Sequence, residues 1–73
     1  MSVKYFDICD DAFKRDEDTW ELSILRSTPD GKVYEDKPTP YEVAMFDRNW
    51  FDSGVIDKET AYRLTLDPST AYR

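Results

Sequence analysis

The residues with the most chemical potential in this chain are its carboxylates: sixteen Asp and Glu, set beside one cysteine and no histidine. Two carboxylates flanking a bond can act as acid and base, as in glycoside hydrolysis, but they need a cleft between rigid walls that one small core rarely supplies. Without histidine, the Ser-His-Asp and Cys-His nucleophile arrangements cannot form, and neither can zinc sites built on His or several Cys. Asp16 and Asp18 offer oxygen ligands, yet the stretch lacks the mid-loop glycine and closing glutamate of a calcium loop. Gly31 and Gly54 lie far apart and leave no phosphate-binding loop. No catalytic residue, metal site or cofactor is therefore expected.

What remains is charge. The net charge is −6, and it is uneven: residues 1–36 hold ten acids against five bases, residues 37–73 six against five. Such a field repels phosphates and anionic lipid and attracts basic surfaces. The clustered Lys and Arg that nucleic-acid binding needs are absent. The expected partner is a protein with a basic surface, with no direct nucleic-acid contact and no membrane. The acidic candidates for contact are Asp10, Asp11, Asp16, Glu17, Asp18, Glu35 and Asp36. Tyr62, Arg63, Tyr72 and Arg73 join them because Tyr and Arg dominate interface hot spots. Asp47 completes the set. It falls inside the apolar arc of a helix, so it is either paired with a base such as Arg63 or exposed because that arc is divided between two surfaces.

The element that organises these residues runs from Thr39 to Gly54. Thr39 is a natural N-cap, Pro40 suits the first helical position, Glu42 completes a capping box, and Gly54 can end the helix in a left-handed conformation. At roughly 100° per residue, Val43, Phe46 and Trp50 form a core-facing stripe, widened by Ala44 and Phe51, with Met45 on the polar face. Upstream, Val3 to Cys9 reads as a strand covered on both sides, with Cys9 a small strand or core residue. Asp10 to Asp18, seven charges in nine residues, reads as a solvated loop or a single helical turn. Thr19 to Arg26 alternates as a half-buried strand. Thr28-Pro29-Asp30-Gly31 is a turn, after which Lys32 to Asp36 returns to complete a hairpin.

Beyond Gly54, Ile56 to Arg63 and Leu66 to Arg73 repeat the pattern apolar-D-x-x-T-A-Y-R, each with an Asp placed to cap a helix. A strand over Ala61 to Leu66 competes with the first of these helices. Two short copies are too few for a solenoid.

Seventy-three residues make one domain with a small core, and a single cysteine allows no internal disulfide. The cysteine usage fits a reducing compartment, and the chain shows neither a signal-peptide run nor an apolar stretch of about 20 residues that could span a membrane. The expected location is cytoplasmic. The expected fold is a small α+β domain: a two- or three-stranded antiparallel meander packed on one main helix, with short C-terminal helical turns. In composition alone the chain resembles the type of small acidic inhibitor that phages and mobile elements direct against host nucleic-acid-handling machinery. The function expected is a non-enzymatic acidic protein-binding module, an inhibitor that occupies a basic nucleic-acid-binding surface. The alternative is a structural subunit or obligate homodimer whose acidity only keeps it soluble.

Overall fold

Five short strands and two helices make up residues 2–67, the part of the chain described in this computed structural model. The strands are β1 (Val3–Ile8), β2 (Asp11–Asp16), β3 (Leu22–Ser27), β4 (Val33–Asp36) and β5 (Val55–Ile56); the helices are α1 (Pro40–Asn49) and α2 (Lys58–Leu66). They form one antiparallel sheet in the order β4-β3-β2-β1-β5. This corrects the expected meander of two or three strands on one main helix: the sheet is wider, and a helix covers each of its faces.

The difference originates in β2. Its charges suggest a loop, but its register makes it the central strand, paired with both β1 and β3. Alternation separates the strand into two sets. Phe6, Phe13 and Ile24 stand opposite one another on β1, β2 and β3, and with Ile8 and Phe46 of α1 they form the first core. Ala12 and Leu25 point the other way and meet Ala61 and Leu64 of α2, with Tyr5, Val33, Ile56 and Tyr62 packed around them. Ala12 and Phe13 are consecutive and both buried, which only a strand sandwiched between two layers allows. The charged neighbours are paired: Lys14 Nζ donates to Glu35 Oε2 at 2.7 Å, and the buried Arg15 donates from Nε to Glu17 Oε2 at 2.7 Å.

Strand directions explain what α1 has to do. β4 and β5 lie on opposite edges, both antiparallel to their neighbours, so the connection between them crosses the whole sheet. Four inter-strand gaps span ~19 Å, and ten helical residues cover ~15 Å of that. The helix begins as its sequence requires: Glu42 N–H donates to Thr39 Oγ1 at 3.2 Å, and Thr39 N–H donates back to Glu42 Oε1 at 2.8 Å. It stops sooner than Gly54, with Trp50 as C-cap, because Asn49 Nδ2 takes the Met45 carbonyl and Ser53 N–H takes the Asn49 carbonyl. Gly54 is not left-handed.

The inner stripe of α1 also differs from expectation. Phe46 is its buried centre, and the half-buried residues beside it are Glu42, Ala44, Met45 and Asn49; Glu42 Oε1 accepts from the Thr39 N–H and from Arg26, and Asn49 Nδ2 donates to the Met45 carbonyl. Val43, Trp50 and Phe51 lie at the rim or outside it. The turn before β4 is as read: Gly31, at φ +86°, donates to the Thr28 carbonyl at 3.0 Å. Asp57 caps α2 through Thr60 N–H at 2.7 Å, so the helix rather than the strand forms there. Asp67 closes that helix, and the rest of the second repeat copy, with Tyr72 and Arg73, lies outside the described residues.

Candidate interaction surface

Arg15 is the one buried charged residue among those described, at 7% exposure. Its guanidinium lies 4.6 Å from the Trp20 ring centre, 4.9 Å from Trp50 and 5.2 Å from Phe6, while Glu17 holds its Nε. Flat aromatic faces replace much of the water that an arginine would lose, so the cation plugs the open end of the first core. Glu17 also reaches Lys4 at 3.2 Å, and together these contacts hold its carboxyl below the usual range, with Arg15 the larger cause.

Trp20 reaches this place by an unusual backbone. It closes the β2–β3 connection, where Asp16 N–H donates to the Glu21 carbonyl and Trp20 N–H to the Asp16 carbonyl. Asp16 Oδ1 accepts from Asp18 N–H and Thr19 N–H, at 2.8 and 3.2 Å. Trp20 itself has φ +64° and is 67% exposed. The other two left-handed non-glycine residues, Cys9 (φ 51°) and Asp10 (φ 67°), form the two-residue turn between β1 and β2. That turn geometry needs positive φ at both positions. Cys9 is therefore an exposed turn residue and not part of a strand or core.

Half of the eight predicted acidic contacts, Asp16, Glu17, Glu35 and Asp36, have internal partners. Glu17 holds Arg15 and Lys4, Glu35 holds Lys14, and Asp36 and Glu42 share Arg26 at 2.7 and 2.8 Å. Arg26 holds Asp36 below the usual carboxyl range, helped by the Lys37 N–H. Asp16 is spent on its turn. Asp18 is exposed, away from any base. Tyr62 packs on the second core beneath Lys58, and Arg63 pairs with Glu59 at 2.8 Å. Since α2 and α1 cover opposite faces of the sheet, Arg63 is not a partner for Asp47. Asp47 is exposed and has no ion pair among the described residues.

Four carboxylates without an ion pair, Asp7, Asp10, Asp11 and Asp52, lie near the β1–β2 turn, while Asp18 and Asp47 lie elsewhere. Asp10 and Asp11 sit at the β1–β2 turn, and Asp7 lines a hollow of about 170 Å³ with Cys9, Asn49 and Asp52. Burial first, then Asp10, pushes the Asp7 carboxyl above its ordinary value. Asp11 is raised by burial and by the Glu42 and Asp10 carboxylates, against a pull from Arg26. Asp7 and Asp52 escaped the sequence reading because neither belongs to a run of acids; only the fold brings them to Asp10. Among the described residues no group of three or more Cys, Asp or Glu is placed to hold a metal ion, and no helix is long and apolar enough to cross a membrane. No family, curated protein or solved structure matches this chain.

Proposed function

We propose that this chain is a non-enzymatic protein-binding module that meets a basic partner surface with the carboxylates at its β1–β2 end. The observation that carries the reading is the sorting of the acids. Along the sheet Glu17, Glu35 and Asp36 are neutralised by internal ion pairs, whereas Asp7, Asp10, Asp11 and Asp52 come together without an ion pair among the described residues, Asp11 feeling only a pull from Arg26. Asp7 and Asp11, raised first by burial and then by neighbouring carboxylates, gain when a cation arrives, because the contact offsets the lost hydration and the repulsion together. The two strained turn residues, Cys9 and Asp10, hold this end in one conformation, as strained backbone at binding sites often does. In its finer form, the basic surface engaged is one that otherwise holds nucleic-acid phosphates, and occupying it inhibits the target.

Affinity purification from the native cell, followed by titration of the co-purifying protein at several salt concentrations, tests this. Affinity is expected to fall steeply as salt rises. A salt-independent affinity would contradict the proposal.

A further inference from the structure

We propose that Asp30 is a site of covalent change, where the carboxyl closes on the Gly31 nitrogen to a succinimide that water reopens as isoaspartate, and that the Thr28 hydroxyl restrains this reaction while the turn is folded. The site lies apart from the β1–β2 end and stands whether or not that end binds. Asp30 is the one aspartate in the chain followed by glycine. Glycine has no Cβ to shield its nitrogen or to limit the backbone rotation that brings the nitrogen to the carboxyl. Both residues are exposed in the turn between β3 and β4, and a Cβ built on Gly31 would meet nothing within 4 Å.

The reaction balances without a co-reactant. The Gly31 nitrogen bonds to Asp30 Cγ, and its hydrogen leaves with the carboxyl hydroxyl as water. Water then adds at the backbone carbonyl of the ring and breaks that carbonyl's bond to nitrogen, so the chain runs on through Cγ with one extra carbon and a free carboxylate. In the folded turn both reacting groups are occupied: Gly31 N–H donates to the Thr28 carbonyl at 3.0 Å, and the Thr28 hydroxyl donates to Asp30 Oδ1. Opening of the turn releases both at once. The product no longer fits the hairpin. Thr28 N–H donates to the Lys32 carbonyl at 2.8 Å, and Ser27 and Val33 beside it are the first pair of the β3–β4 ladder. β4 is an edge strand paired with β3 alone, so a lengthened turn loosens the strand that brings Glu35 to Lys14 and Asp36 to Arg26.

The test is to incubate the protein at neutral pH and physiological temperature in water labelled with heavy oxygen, then to map its peptides by mass and by an aspartate-specific protease. Uptake of heavy oxygen and loss of cleavage are expected at Asp30, while Asp52, which precedes serine, and Asp18, which precedes threonine, stay unchanged. Asp30→Glu should abolish the uptake, because its ring would need a sixth member. Thr28→Val should speed the change and Thr28→Ser should keep the parent rate, whereas a hydroxyl without a role in restraint would leave all three alike. The chain unfolded in urea should react faster than the folded protein, and aged protein should unfold at a lower urea midpoint than fresh protein. No change at Asp30, or equal change at Asp52 and Asp18, would overturn the site. Equal rates in the parent and Thr28→Val would overturn the restraint, and an unchanged midpoint after ageing would overturn the loosening of β4.

Discussion

At Arg15, a single cation sits where a core would otherwise end, between two indoles and a phenyl ring. Arg15→Ala should cost about 2 to 4 kcal/mol in urea unfolding, through lost stacking and packing together. Arg15→Lys keeps the charge but not the plane, and should recover only part of that loss. The titrating carboxyls divide by sign. Glu17, Asp36, Glu42 and Asp57 are held below their ordinary values, by Arg15, by Arg26, by the Thr39 N–H and by Thr60 respectively. Their contribution is present above the unfolded pKa and is lost as pH falls through the folded one. Asp7 and Asp11 run the other way: with folded pKa raised, the native state holds more protons in the interval, so their destabilising effect fades on acidification. Asp11→Asn should therefore stabilise the protein at neutral pH. That gain should shrink as pH falls through the raised pKa of Asp11 toward the ordinary carboxyl value, which melts across pH would show.

Among the elements, α1's beginning and α2's cap were legible because capping is local chemistry: Thr39, Pro40 and Glu42, or Asp57 and Thr60, act within one turn. Thr39→Ala and Asp57→Ala should each cost about 0.5 to 2 kcal/mol in thermal or urea melts. The β3–β4 hairpin was legible for the same reason. The central strand was not, since the charges of β2 are neutralised by residues distant in sequence, such as Glu35 for Lys14, which no local pattern reveals. The inner face of α1 was missed for a related reason. Glu42 and Asn49 look solvent-facing until Arg26 and the Met45 carbonyl are placed beside them. Of the candidate surface, Asp10 and Asp11 could be found in the sequence, whereas Asp7, Asp52, Trp20 and Trp50 are assembled by the fold. Phe13, at 0% exposure, gives β2 a direct check. Phe13→Ala should cost about 3 to 5 kcal/mol, and Trp50→Ala, at 37% exposure, about 2. The reverse order in denaturant melts would return Trp50 to the core and β2 to the surface.

For the whole molecule, one thin sheet with a core on each face must be stable without a disulfide, and its acidity is arranged so that little of it burdens the sheet. Internal ion pairs neutralise Glu35 and Asp36 on the strands, a group of carboxylates without an ion pair sits at the β1–β2 end, and the exposed indoles flank α1. The rival reading, an obligate homodimer burying those indoles, requires a melting temperature that rises with protein concentration. The account is tested most directly by the affinity of the co-purifying protein for two variants of equal charge. One reverses Asp7, Asp10 and Asp11 to Lys, the other Glu35, Asp36 and Glu59, and each brings the net charge from −6 to neutral. The first should lose at least about tenfold in affinity and most of its salt dependence, while the second stays within a few-fold of the parent. Equal losses from both would contradict the account, leaving only a diffuse effect of net charge.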